Sequence, residues 1–528
     1  MPIIISQIKS SLEAQQNEIV RKALKAVGIS ESDVLKAEIH KTSLDARKHD
    51  DIHFVHAVYV QLNNPKTEKN ICEKNGLNYV ESTKLLPVIS DVKHEGKVAV
   101  VGFGPAGMFA ALILAENGYK PVVFERGESV DERIESVKRF WQNGDLNEKS
   151  NVQFGEGGAG TFSDGKLTTR IKDPLCRYVL ERFVQFGAPE EILVKAKAHI
   201  GTDNLRTIVK AIRNRIVELG GEVRFNSKID DLKINNGVVN AVCMKDTDER
   251  TSAVILAVGH SARDTFEMLL DNGVMIEPKP FAVGTRIEHT QDDVDKSLYG
   301  NQAGNPLLPK GEYQLSYTRQ DKRAAYTFCM CPGGYVVASS SEVGGVVTNG
   351  MSEYARDGSN ANSALVVSVT PRDFGTNPLD GVNFAQTIEK NAFISAGSTY
   401  KAPATTVGGF LSGKSSLLPS SINPSYSLGV CEADFRKIFP NFVCEMMQTG
   451  LDVFAKRMKC FADANAILTA PETRTSSPVK ITRTENMNCV SLKNMYPCGE
   501  GAGYAGGIMS SAVDGIKAAL QIMTQIAP

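Results

Sequence analysis

Gly102, Gly104 and Gly107 stand at the spacing Gly-x-Gly-x-x-Gly directly after the apolar run Val98-Ala99-Val100-Val101. Residues 108–116, which follow at once, favour a helix. In such a strand–turn–helix unit the first glycine makes the tight turn and the second lets the main chain approach a pyrophosphate. The third allows helix and strand to pack closely. Pro105 and Ala106 complete the turn, and the helix behind it presents free N–H groups and a partial positive charge to the phosphates. A second strand, residues 121–124, ends at Glu125-Arg126, where a carboxylate about 20 residues on can grip a ribose diol. The chemistry expected here is dinucleotide binding.

The same letters recur at Gly155-Glu156-Gly157-Gly158-Ala159-Gly160 and at Gly501-Ala502-Gly503-Tyr504-Ala505-Gly506. Neither copy follows a clear apolar strand, so neither is a first βα turn. The first belongs to a glycine-rich stretch, residues 152–167, with too few large side chains to build a core. Gly157, Gly158, Ala159, Gly160 and Thr161 are read as a loop lining the cofactor, and a conformationally demanding linker is the alternative.

The second copy sits in Tyr496-Pro497-Cys498-Gly499-Glu500-Gly501-Ala502-Gly503, which leads through Gly506-Gly507-Ile508 into a small-residue helix, residues 510–523. That string resembles the C-terminal motif of two-dinucleotide-binding flavoproteins. The resemblance implies that Gly499 and Glu500 meet a ribityl-phosphate arm, and that the helix start at Gly507 and Ile508 faces an isoalloxazine. Residues 253–258, ending in Gly259-His260, resemble the Ala-Thr-Gly strand of the same proteins, with Val258 in the threonine position. The three motifs in this order point to FAD.

For catalysis three cations are candidates. Lys166 closes the glycine-rich loop, Arg286 lies in a strand of apolar residues, and Arg474 stands in the polar string 471–478. A cation near a flavin stabilises a reduced, anionic ring or holds a carboxylate substrate; a structural ion pair is the alternative for each. Cys329-Met330-Cys331 offers two thiols whose bridging needs a bend in the strand. Buried structural cysteines are the expectation there, with a redox pair as the alternative.

These residues need elements to hold them. At 528 residues the chain is long for one core, so two or three domains are expected. Residues 1–92 read in the order βαββα, a small ferredoxin-like α+β unit. Its histidines, His53 and His56 among them, fall on different strand faces, and no metal site is expected. Residues 96–261 with 471–528 read as a three-layer, Rossmann-like α/β FAD-binding domain. Residues 262–470 read as an inserted α+β cap that shapes the substrate pocket. Lys and Arg number 59 against 60 Asp and Glu, a balance that offers no field to attract nucleic acid. No apolar run reaches the ~18 residues of a membrane span. With no signal-peptide pattern and ten cysteines lacking any Cys-x-x-Cys pair, a cytoplasmic location is expected.

The strings Ser43-Leu44-Asp45-Ala46-Arg47-Lys48, residues 155–167, Phe328-Cys329-Met330-Cys331-Pro332-Gly333-Gly334 and Asn349-Gly350-Met351-Ser352 resemble the bacterial FAD-dependent dehydrogenase family. In that family a ferredoxin-like domain precedes a flavoprotein body. More distantly the layout is similar to bile-acid-reductase-like and geranylgeranyl-reductase-like flavoproteins. The resemblance implies an FAD-dependent oxidoreductase acting on a small molecule, with NAD(P)H as a candidate transient electron donor. The alternatives are a flavin monooxygenase and an RNA-modifying or RNA-binding flavoprotein that reads with its first domain.

Overall fold

In a computed structural model of the chain, which describes residues 2–79, 87–93, 96–414, 416–417, 420 and 422–528, the apolar run before the glycine turn is the strand Lys97–Val101. It lies in a mostly parallel sheet, with Val122–Phe124 and then Glu222–Arg224 on one side and Asp248–Leu256 on the other. Met495–Pro497, near the far end of the chain, adds in parallel to Asp248–Leu256. Val238–Cys243 and Asp231–Asn235 extend the other end of that strand in antiparallel fashion.

The helix Pro105–Glu116 is buried at every position from Ala106 to Ala115. A helix apolar all round must be covered all round. Against it pack Ile508–Met523 and Thr202–Glu218, in one core with the parallel strands. The small residues anticipated in the last helix are what allow the close approach: a Cβ at Gly515 would stand 2.0 Å from the carbonyl oxygen of Ala106. The fold class is therefore α/β, with a Rossmann-like, helix-covered parallel sheet.

A second sheet carries the order Ser316–Thr318, Ala324–Cys331, Asn360–Val369, Phe281–Thr290, Ile467–Glu472, Ala402–Thr406, Val430–Glu432. It is antiparallel except at its last pairing. Phe281–Thr290 is buried on both faces, with the helix Asn441–Arg457 among the elements that cover the sheet. Two of these strands, Ala402–Thr406 and Ile467–Glu472, contain a proline, Pro403 and Pro471, a residue that argues against a strand when only the sequence is read. At the end of the second, Glu472 pairs within this sheet, opposite Gly284.

The first residues form Ile3–Ser10, Gln16–Val27, Val34–Asp45, His53–Leu62, Pro65–Asn75 and Asn78–Tyr79. The strand order is Val34–Asp45, His53–Leu62, Ile3–Ser10, Asn78–Tyr79, all antiparallel: a split βαβ arrangement with one strand more than the sequence indicated. It touches the body through Thr42, whose N–H donates to Val194 and whose carbonyl accepts from Ala196. His56 contacts Ser10 and Thr42, whereas His53 contacts Asp51. No helix among the described residues is long and apolar enough to cross a membrane.

Candidate active site

Where the parallel sheet, the glycine-rich loop and the antiparallel sheet meet, they enclose a cavity of about 1330 Å³. Gly102, Gly104, Pro105, Ala106, Glu125, Arg126, Gly158, Ala159, Gly160, Gly259, His260, Gly499, Glu500, Gly507 and Ile508 all line it, as do Lys166 and Arg474. Sequence-distant motifs thus share one wall. Gly107, Gly157, Thr161 and Arg286 stand behind that wall.

The glycines divide by what a side chain would meet. At Gly107 a Cβ would lie 2.0 Å from the carbonyl oxygen of Gly102, so this position serves helix–strand packing. Gly157 has φ of 82° and its Cβ would strike the Thr161 hydroxyl, so those two residues brace the loop rather than face the cavity. At Gly104 a Cβ would meet only the Gly158 Cα, at 3.7 Å, and at Gly507 nothing within 4 Å. The open space beside these two backbones belongs to the cavity. Both helices that start here, at Pro105 and at Ile508, carry no acidic residue in their first turn, which leaves their N-terminal charge available to an anion.

Glu125 does more than the sequence reading assigned to it. Its Oε2 accepts from the Phe103 N–H at 2.8 Å, and its Oε1 from those of Gly127 at 2.9 Å and Gly155 at 3.0 Å. One carboxylate therefore ties the first glycine turn to the glycine-rich loop. About one of its four acceptor directions is left for a ribose hydroxyl. Arg126 is held by Asp264 and by the ring of Phe154.

Arg133, which the sequence did not single out, fastens the loop from beneath. It is fully buried and donates to the carbonyls of Asn151, Val152, Glu156 and Gly158. Burial lowers its pKa to about 9. Its signal in the sequence was an arginine on the apolar side of an amphipathic helix, Val130–Asn143.

The cations are paired. Lys166 Nζ lies 2.8 Å from Glu312 and 3.2 Å from Asp164, with Arg356 and Lys197 bound to the same two carboxylates. Arg474 donates to Glu389 through Nε and Nη2, while its Nη1 has no hydrogen-bond partner. Arg263 grips the same carboxylate from another side. His260, beside them on the wall, has its pKa lowered to about 3, by desolvation first and then by Arg474 and Arg263. Burial raises Glu500 to about 7.

Arg286 is fully buried and stands outside the cavity lining. Its Nε donates to Asn362 at 3.1 Å, its Nη2 to the Cys329 carbonyl at 2.9 Å, and its Nη1 lies 3.5 Å from Glu472. Gly350 makes room for it, since a Cβ there would stand 2.0 Å from Nη2. Glu472, which does line the cavity, is raised to about 7 by burial against the opposing pull of Arg286.

The strand that carries the two cysteines is bent at Cys329 itself. Opposite Asn360–Val369 the register jumps from Phe328↔Ala364 to Cys331↔Asn362, a β-bulge, and Cys329 has φ of 42°. A non-glycine residue in this left-handed region costs of order 1 kcal/mol or more. Cys329 lines the cavity and Cys331 is wholly buried.

Residues 280–475 match the family model described as FAD-dependent protein, C-terminal domain-like, and residues 1–61 match a domain of unknown function. Among solved structures the chain is similar to a glycine oxidase from Bacillus cereus, at 11% identity and a TM-score of 0.34, covering 82% of this chain and 99% of that one. It is also similar to a geranylgeranyl bacteriochlorophyll reductase-like protein from Thermoplasma acidophilum, at 15% identity and a TM-score of 0.34, covering 81% and 78%. The site fits FAD: two helix N-termini without acids, main chain bare of side chains at Gly104 and Gly507, and a volume above the roughly 300–1,000 Å³ of a drug-sized pocket. Site and family model together point to an FAD-dependent flavoprotein. Within that class the chain belongs to one family with a Clostridium beijerinckii protein described as uncharacterized, 45% identical over 526 residues and 99% of both chains.

Proposed function

We propose that this protein is an FAD-dependent dehydrogenase or reductase of a small organic molecule bearing an anionic group. In this reading residues 96–261 and 471–528 hold the cofactor, and residues 262–470 supply the wall against which the substrate lies. The bound FAD supplies two-electron, hydride-type chemistry. The chain's own part is to hold both molecules and balance their charge. The observation that carries the proposal is that a single cavity is lined by the phosphate-binding turns and also by Glu312, Lys166, Lys197, Tyr326 and Phe328. At that second end Lys166 and Lys197, with the buried Arg356 behind the wall, meet two carboxylates, Asp164 and Glu312. The excess of one positive charge favours an anionic substrate group, and the exposed Phe328 offers an apolar surface beside it.

NAD(P)H is the proposed electron donor, binding transiently at the open end. The test is to record the visible spectrum of the purified protein and add NADH or NADPH without oxygen. Rapid bleaching of bound flavin supports the nicotinamide-linked reading, and a flavin that stays yellow under both rejects that donor. The substrate class is tested by turnover with acceptors that differ only in a carboxylate. A Lys166→Ala variant should raise KM for the carboxylate-bearing compound alone, and equal effects on both would reject the anionic class.

A further inference from the structure

The bulge at Cys329 turns its carbonyl to Arg286 Nη2, at 2.9 Å. A bulge of this backbone type is usually given to glycine, because a left-handed φ is strained for any residue with a Cβ. Here a cysteine takes it, on the wall of the cavity and two residues from another cysteine. Strained backbone of this sort gathers at functional sites. The bulge also alters the distance between the two thiols. Residues 328–331 make three chain steps while the partner strand, from Ala364 to Asn362, makes two. On a regular strand the α-carbons of residues i and i+2 stand ~6.6–6.8 Å apart, the upper end of the 4.4–6.8 Å that a disulfide takes, and matching three steps to two shortens the advance per residue. The Cys331 thiol contacts the Cys329 carbonyl at 3.4 Å.

We propose that Cys329 and Cys331 are a dithiol–disulfide couple that exchanges an electron pair with the FAD, Cys329 being the sulfur that faces the cofactor cavity and Cys331 the resolving sulfur behind it. The environment separates the two roles. A hydrogen bond from Cys331, with the charge of Arg286 in support, lowers the pKa of Cys329 and favours its thiolate. The same contact, together with burial, pushes Cys331 well up, so that it stays a thiol. Arg286 holds both, through the Cys329 carbonyl at 2.9 Å and the Cys331 sulfur at 3.7 Å. Glu472, whose Oε2 lies 3.5 Å from Arg286 Nη1, flanks Arg286 and lines the cavity.

The step balances without a further reagent. One thiolate and one thiol lose two electrons and one proton as the S–S bond forms and the Cys331 S–H bond breaks. FAD takes up those two electrons and that proton to give its reduced anion, and the reverse step reopens the disulfide. This goes beyond the proposed small-molecule reaction and rests on the FAD site alone.

The test uses the full-length, flavin-loaded protein in two measurements. After treatment with diamide, denaturation and alkylation with iodoacetamide, mass spectrometry should find Cys329 and Cys331 unlabelled and joined. Anaerobic titration of that oxidised protein with dithionite should take about two equivalents per FAD, one for the flavin and one for the two-electron disulfide couple. Cys331→Ala should retain the flavin spectrum and take about one. Full labelling of both cysteines, or one equivalent for the oxidised wild-type protein, overturns the proposal. Preparations that form the disulfide but bind no flavin overturn the FAD site and, with it, the electron exchange. The mass measurement does not depend on the cofactor, so the two failures are distinguishable.

Discussion

Arg474 and Glu389 form a doubly hydrogen-bonded ion pair inside the protein, Nε to Oε1 at 3.0 Å and Nη2 to Oε2 at 3.1 Å. The same carboxylate receives Arg263 at 2.8 and 2.9 Å and the hydroxyl of Thr473. Glu389 is held down at about 2 although burial opposes ionisation, because Arg263 and Arg474 lie against it. It sits on the helix Asp380–Ser395, Arg474 just after the strand Ile467–Glu472, and Arg263 at the start of Arg263–Asp271. Three segments far apart in the chain are thus locked at the rim of the cavity. Removing one partner of such a group strands the others without a counter-charge.

Glu389→Gln should therefore destabilise the protein by about 3–5 kcal/mol. The check is the denaturant midpoint of the flavin-loaded protein. A loss below about 1 kcal/mol, the value of an exposed pair, would show that the cluster does not hold the fold.

Gly107 and Gly104 make a paired prediction because the space around them differs. Gly107→Ala drives a Cβ to within 2.0 Å of a main-chain oxygen and should reduce yield and thermal stability even without cofactor. Gly104→Ala meets only the Gly158 Cα at 3.7 Å, so the chain should fold with stability near that of the parent. Its methyl instead occupies the approach of the pyrophosphate, and FAD affinity should fall about tenfold or more, a loss of about 1.4 kcal/mol. Thermal unfolding with and without added FAD separates the two effects. Equal behaviour of the two variants would refute the division of roles.

The glycine motifs were legible because each demands a residue type that few other positions tolerate. Gly102, Gly499 and Gly507 all have positive φ, and Gly107 has no room for a side chain. The strand Lys97–Val101 was legible from its unbroken apolar run. The ion-pair clusters were not. Nothing near Glu389 in the sequence announces that Arg263 and Arg474 converge on it, since they lie 126 and 85 residues away. Arg286 was legible as unusual but not as buried, because a central strand hidden on both faces gives no alternation to show which way a side chain points. The bulge at Cys329 depends on the register against Asn360–Val369, a tertiary relationship that spacing along one strand cannot express.

Glu472 gives the protein a testable pH dependence. Its folded-state pKa is raised from about 4.5 to about 7, chiefly by burial. Between those values the folded protein holds a proton that the unfolded chain has released. Stability then falls as pH rises, because its slope follows the protons bound in the unfolded state minus those bound in the folded state. The contribution is fully present below pH 4.5, declines through the window from 4.5 to 7, and is lost above it. Glu472→Gln removes the titration. Glu500, also raised to about 7, is present in both proteins and cancels in the comparison. The substitution leaves Arg286 without its carboxylate, which adds an offset that does not vary across this window. The quantity to read is thus the change with pH of the difference in urea midpoint between parent and variant. Relative to the parent, the variant should gain steadily from pH 5 to pH 7 and then level off. A difference that stays constant with pH, or moves the other way, would mean that Glu472 is ionised throughout and that its pairing with Arg286 outweighs its burial.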